Sequence, residues 1–358
     1  MIGSLPRSAW TVLYMFQHAS LAQPNDLQQP PEGLADWRWA VKTAIRDPAE
    51  LCRVLQLPES HRVAAERAAA AFSLFAPRGY VARMRPADPE DPLLRQVLPL
   101  DEELKPVPGF TADPLGEMQA MAAPGLLQKY AGRALMVVTG ACAVHCRYCF
   151  RRHFPYEAAS AGSGRWEAAL GALAAAPEVE EIILSGGDPL SLGDELLAGL
   201  AAQLASIPHV RRLRVHTRLP IVIPERVCEP LLAWLRGTRL VPLVVVHANH
   251  ARELSDDVAA ALGRLVDAGI PVLNQAVLLR GVNDELSSLE NLCRRLTELR
   301  VMPYYLHVLD RVAGAAHFEV PEAKAIELVH QLRGRLAGYA VPRLVREVPG
   351  EAGKVVLA

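Results

Sequence analysis

The chain has 358 residues, enough for one large domain or two modest ones. Its composition, 51% hydrophobic and 22% charged, is that of an ordinary globular protein, and a formal net charge of -1 gives no electrostatic ground for nucleic acid or an anionic membrane as a partner. No apolar run approaches the roughly 20 residues of a transmembrane helix, and with only five lysines (Lys42, Lys105, Lys129, Lys324 and Lys354) any lysine chemistry must fall on one of them.

Arg7, the apolar stretch Ala9 to Phe16 and the small residues Ala19, Ser20 and Ala22 weakly imitate a secretory signal. The clustered thiols further on fit a reducing compartment better, so the expected location is the cytoplasm. Residues 1–34 then read as a mobile or loosely docked extension, with a proline-rich linker at 24–36. Helical periodicity follows from Trp37 to Arg46. Asp47-Pro48 supplies a cap and a first-turn proline for a helix to about Leu57, and 61–77 reads as a third helix. The proline- and acid-rich stretch 85–116 predicts extended, turn-rich chain.

From Arg133 short apolar runs alternate with amphipathic segments. Strands are predicted at 134–140, 181–187, 211–217, 243–249, 272–279 and 303–310. Helices are predicted near 165–175, 194–206, 225–236, 255–268, 285–299 and 321–337. This alternation predicts an α/β fold with a parallel sheet, either a partial barrel of six βα units or an open doubly wound sheet. Polar groups gather at the C-terminal ends of five strands, which favours the partial barrel. The expected organisation is an extension (1–34), a helical and extended region (35–130), the barrel (131–340) and a C-terminal segment (341–358).

Directly after the first strand, CAVHCRYCFRR sets Cys142, Cys146 and Cys149 in a CxxxCxxC spacing. Thiolates hold iron–sulfur clusters, ordinarily four per cluster. Three leave one iron of a 4Fe–4S cluster open to a small chelating molecule. A zinc site completed by His145 or His153 is the competing reading, although zinc sites usually pair two CxxC knuckles. Cys52, Cys228 and Cys293 are scattered singly and read as core residues. After the second strand comes Ser185-Gly186-Gly187-Asp188-Pro189, whose glycines permit close approach of backbone to a ligand. Lys354 follows a Pro-Gly-Glu-Ala-Gly loop in an apolar tail. It reads either as a frayed terminal lysine or as one packed in a partly apolar site, where lowered basicity suits Schiff-base chemistry.

At the cysteine loop the chain resembles the radical SAM superfamily, in which S-adenosylmethionine chelates the open iron. From about Trp37 onward it resembles the lysine 2,3-aminomutase branch. The strings that carry this are PGLLQKYAGRAL (124–135), HCRYCFRR (145–152), LSGGDPL (184–190), HANH (247–250), LNQAVLLRGVND (273–284), MPYYLHVLD (302–310), AAHF (315–318) and the PGEAGK tail (349–354).

The resemblance implies three cofactors: the 4Fe–4S cluster, S-adenosylmethionine and pyridoxal 5'-phosphate. It places the cluster on the three cysteines, and S-adenosylmethionine on Ser185, Gly186, Gly187, Asp188 and His247. The catalytic Schiff-base lysine falls on Lys354, and the other pyridoxal phosphate contacts on Tyr130, Arg133, Gln275 and Lys129. Lys129 stands where the family has arginine and loses its bidentate geometry. Arg151 would grip the α-carboxylate of L-lysine, and Asp310 with Glu347 its ε-ammonium, Glu347 replacing an aspartate. Glu351 and Ala352 replace two glycines of the family's Pro-Gly-Gly-Gly-Gly-Lys. The short form looks most like the EpmB members, which make (R)-β-lysine for a ligase that modifies elongation factor P. An electron donor is also implied; a homo-oligomer, a different amino-acid substrate such as glutamate, and a non-catalytic iron–sulfur protein stay open.

Overall fold

Residues 37–159 and 166–358 are described by the structure, a computed structural model; the predicted extension and linker at 1–36 lie outside the described residues. The first helix covers Trp37–Lys42. Asp47 then caps Pro48–Val54, its carboxylate accepting from the Ala49 amide at 3.0 Å. The third helix, Glu59–Ala69, is shorter than predicted. Beyond it the backbone turns outward, so that Ala76 pairs with Ile45 and the Phe75 carbonyl accepts from the amide of His145 at 2.9 Å. Residues 85–116 are turn-rich as expected, broken by 3-10 turns at Leu94–Gln96 and Asp101–Leu104.

One sheet carries the rest. Its strands are β1 (Met121–Ala123), β2 (Leu126–Tyr130), β3 (Arg133–Thr139), β4 (Glu181–Gly186), β5 (Arg212–Thr217), β6 (Val241–Val246), β7 (Val272–Val277), β8 (Met302–His307), β9 (Arg343–Arg346) and β10 (Val355–Val356). They lie in sequence order. A doubly wound sheet reverses order at a switch point, and this one does not. Strands β3 to β9 are parallel, flanked by the antiparallel pair β1–β2 at one edge and by β10 at the other. The sheet is an unclosed, partial barrel.

Six helices make the crossovers: Glu167–Ala174, Asp194–Ser206, Glu229–Arg236, Asp256–Asp267, Leu286–Glu298 and Glu322–Arg333. The parallel strands number one more than the six predicted, because β9 belongs to the sheet. Its leucine and valine are buried between two arginines, too short a run to show alternation. The sheet therefore runs without a break across the boundaries expected at 131 and 341. The chain end is tied in as well: the Leu344 amide donates to Ala358 at 3.0 Å and the Leu357 amide to Leu344 at 2.8 Å.

Period-2 geometry divides each strand between helices and interior. On β5, Leu213 and Val215 are buried in the core, while Arg214 and His216 line the central cavity. The turn after β4 packs onto the chain leaving β3. The Gly187 amide donates to the Thr139 carbonyl at 2.7 Å, and the Asp188 amide to Ala141 at 2.8 Å. A Cβ on Gly187 would lie 2.3 Å from the Ala141 oxygen; one on Gly186, at φ +120°, would lie 2.4 Å from the Thr139 oxygen. The glycines are thus required by protein packing before any ligand arrives, a reason the sequence reading assigned to ligand approach.

Gly187→Ala should lower stability by about 1–3 kcal/mol through overpacking. Gly199→Ala, in the helix Asp194–Ser206 with nothing within 4 Å of the added carbon, should be neutral or stabilising by up to about 1 kcal/mol. Urea midpoints of the two variants check the contrast.

Candidate active site

A cavity of about 500 Å³ fills the centre of the sheet, within the usual range for ligand pockets. Every residue singled out above as a cofactor, substrate or cluster contact lines it, from Lys129, Tyr130 and Arg133 on β2 and β3 to Lys354 before β10. The cysteine loop, the turn after β4, His247, Asp310 and Glu347 follow the C-terminal ends of their strands, the functional rim of parallel barrels, whereas Lys129, Tyr130 and Arg133 lie where β2 ends and β3 begins.

Cys142, Cys146 and Cys149 are free thiols at one end of this cavity. Burial pushes the Cys142 thiol far up and Cys149 up to about 11, and the charge of the neighbouring sulfurs adds to both. Thiols raised in this way ionise readily only against a positive centre, which is what iron supplies. Among the described residues no three His, Cys, Asp or Glu side chains gather closely enough for one metal ion. A cubane places each thiolate on its own corner and spreads them wider. Of the two histidines beside the loop, His145 Nδ1 meets the Ser73 carbonyl at 2.9 Å and His153 Nε2 the Ala313 carbonyl at 3.0 Å. The three thiols fit a cluster.

The loop is clamped from behind by side chains from distant parts of the chain. Glu103, in the proline-rich segment, accepts from Arg147 at 2.8 and 2.6 Å and from Arg152 at 2.6 Å. Arg218 donates to Cys146 Sγ and to Tyr148 Oη, each at 2.7 Å, while its other terminal nitrogen reaches Glu253 at 2.9 Å. Isolated acids and arginines carry no local signature; only the fold shows what they meet.

Asp188 is corrected in role. Its oxygens accept from Thr217 Oγ1 at 2.7 Å, the Arg218 amide at 2.6 Å and the Leu190 amide at 3.0 Å. This carboxylate braces the turns after β4 and β5 rather than presenting itself to a ligand. Ser185 Oγ accepts from Arg151 at 3.0 Å.

Lys354 faces the cavity and forms an ion pair with Glu347, which also accepts from Lys129 Nζ at 2.8 Å. The hairpin joining β9 to β10 creates this geometry by folding the chain back over seven residues. Burial disfavours the charge of Glu347, but the two lysines overcome it and hold the carboxyl at about 2. Asp310 is different: burial, reinforced by Glu347, pushes it up to about 7 against the pull of Lys354. Arg133 stacks on Tyr130 at 4.4 Å. Tyr130 Oη and His216 Nε2 are buried without a hydrogen-bond partner, polar atoms that a bound group can satisfy. With the cations Lys129 and Arg133 and the amine of Lys354 lining the same cavity, the residues present fit pyridoxal phosphate.

Gln275 Nε2 lies 2.6 Å from His247 Nε2. Burial pushes His247 down to about 3, with Arg218 and Lys354 adding, and pushes His216 and His307 well below the ordinary histidine value. The histidines around the cavity are therefore neutral. Arg151, the expected carboxylate grip, is not free: Nε donates to Glu117 Oε2 at 2.6 Å and Nη2 to Oε1 at 2.8 Å. Glu117, a single acid in a turn-rich stretch, was not foreseen.

No protein-family model matches the chain. It is 47% identical to the L-lysine 2,3-aminomutase of Escherichia coli (strain K12) over 90% of this chain and 94% of that one. It is 43% identical to that of Haemophilus influenzae over 90% and 96%, and 36% identical to that of Clostridium subterminale over 89% and 77%. Among solved structures, a radical SAM methyltransferase from Sphaerobacter thermophilus is similar at TM-score 0.42 and 21% identity, covering 62% of this chain and 68% of that one.

The raised Asp310 carboxyl has a consequence for stability. The folded state keeps a proton that the unfolded chain releases near pH 4, so this group's contribution falls as pH rises from about 4 to about 7. Asp310→Asn should gain on the parent over that window, by up to about 4 kcal/mol at pH 8 relative to pH 4. Paired urea titrations at the two pH values measure it; an equal gap at both would refute the buried, protonated carboxyl.

Proposed function

The chain belongs to the L-lysine 2,3-aminomutase family, and from that premise we propose which of its residues carry the reaction and where the product goes. The protein is an isomerase that moves the amino group of L-lysine from C2 to C3 by radical chemistry with a 4Fe–4S cluster, S-adenosylmethionine and pyridoxal phosphate. When bound, the cluster supplies one electron, S-adenosylmethionine a hydrogen-abstracting carbon radical, and pyridoxal phosphate the carbon that carries the migrating nitrogen.

Cys142, Cys146 and Cys149 would hold the cluster through three of its irons. Ser185, Gly186, Gly187 and His247 shape the wall against S-adenosylmethionine, and Asp188 fixes that wall in place. Lys354 presents the amine that anchors pyridoxal phosphate, while Lys129 and Arg133 offer positive charge and Tyr130 its hydroxyl to the phosphate end; Gln275 orients His247. Arg151 receives the α-carboxylate of lysine, and Glu347 and Asp310 its ε-ammonium. An incoming ammonium favours the charged form of Asp310, which therefore gives up its proton as lysine binds. His216, His247 and His307, held neutral by burial, add no charge to the cavity. The apolar lining excludes water.

The observation that carries this reading is a single cavity lined both by the thiol trio and by Lys354, Glu347 and Asp310. Two carboxylates suit a cationic side chain and repel that of glutamate. The product is (R)-β-lysine, passed to a ligase that modifies elongation factor P in the cytoplasm. No helix among the described residues is long and apolar enough to cross a membrane.

Incubation with L-lysine, both small cofactors and a strong reductant under nitrogen should yield β-lysine of R configuration on chiral analysis. Exclusive S product, or turnover of glutamate in preference to lysine, would redirect the proposal. Lys354→Ala should retain about four irons per chain yet lose the visible absorbance of covalently held pyridoxal phosphate. An unchanged spectrum would move the anchoring site elsewhere.

A further inference from the structure

Glu117 has no task in the reaction as assigned, yet it is 3% exposed and sits against the proposed substrate site. Its backbone is anchored, the amide donating to Asp113 Oδ1 at 3.0 Å, so the side chain is the part free to move. Both carboxylate oxygens close on the Arg151 fork, at 2.6 and 2.8 Å. That is the parallel two-bond geometry an amino acid's carboxylate would use. The remaining terminal nitrogen of Arg151 donates to Ser185 Oγ at 3.0 Å and to the Gly186 carbonyl at 3.3 Å. No edge of the guanidinium is open to a second carboxylate while Glu117 holds it.

The contact does not end there. Glu117 Oε1 also lies 3.4 Å from Lys129 Nζ, and Lys129 and Lys354 both pair with Glu347. Arg151, Glu117, Lys129, Glu347 and Lys354 form a chain of alternating charge along one wall of the cavity. A side-chain rotation of Glu117 from Arg151 toward Lys129 would exchange one cation for another, without leaving an unpaired buried charge. Burial opposes ionisation of Glu117, but Arg151 and Lys129 hold it below the ordinary carboxylate range, so the occupant of the fork is an anion.

We propose that Glu117 is a resident stand-in for the substrate's α-carboxylate, which must leave Arg151 for Lys129 before an amino acid can bind, so that it sets the affinity for carboxylate-bearing ligands. This rests on the assignment of Arg151 to the α-carboxylate. Ligands without a carboxylate cannot replace Glu117 and gain nothing from its removal.

The test compares L-lysine with cadaverine, the same diamine chain lacking the carboxylate, on cluster- and pyridoxal-phosphate-loaded protein without reductant, by calorimetric titration. Glu117→Gln should tighten lysine binding about tenfold or more, equivalent to 1.4 kcal/mol, and leave cadaverine within about twofold. Unchanged or weaker lysine binding overturns the proposal and makes Glu117 a fixed buttress of Arg151. If that variant does not fold, Glu117→Asp, which keeps the charge but loses reach, should tighten lysine selectively by a smaller factor; parent-like or weaker binding again overturns it. Arg151→Met separates the two layers: it should erase the preference for lysine over cadaverine, and a preserved preference would show that Arg151 is not the carboxylate site at all.

Discussion

Charge compensation inside a buried cavity is the constraint on which this structure turns. A charge moved from water into a protein interior costs several kcal/mol unless partners replace its hydration. Here nearly every ionised group facing the interior meets an opposite one: Arg151 meets Glu117, Lys129 and Lys354 share Glu347, and Arg218 meets Glu253. Asp310 lacks a dominant cation and holds its proton instead. Burial likewise pushes the Cys142 and Cys149 thiols toward their neutral form. A cation placed beside any of these groups would favour the charged form that burial opposes.

The N-terminal region contributes to the same end. Glu103 reaches under the cysteine loop to bind Arg147 and Arg152, and Gln96 accepts from Arg218 at 2.7 Å and from Asn249 at 2.9 Å. A proline-rich stretch with little regular structure of its own thus fixes the loop that must hold three sulfurs. The turn after β4 packs against the start of the loop from the other side, backbone on backbone, at a distance only glycine allows. With the loop gripped on both sides, its cysteines face the cavity in a fixed arrangement, which limits the reorganisation that electron transfer would demand.

At the opposite end, Lys354 sits near the end of the described chain, where fraying is the usual outcome. It is held because the last residues return to the sheet as β10 and hydrogen-bond back to Leu344. The position of Glu347 just past β9 follows from the same hairpin. Ordering the tail and creating the pair between Glu347 and Lys354 are one event.

The sequence by itself determined the α/β class, the CxxxCxxC loop, the glycine turn and most strand and helix positions, because each is written in contiguous residues with a local period or a fixed spacing. The resemblance named the rest of the cavity lining residue by residue. Only the tertiary structure decided that Asp188 is a brace, that Glu117 occupies the Arg151 fork, that Glu103 and Arg218 secure the cysteine loop and that a seventh parallel strand closes the row at Arg343–Arg346. Each of these depends on partners brought together from distant parts of the chain, such as Glu117 with Arg151 or Arg218 with Glu253. An ionisable side chain carries no mark of its partner until folding removes the water between them.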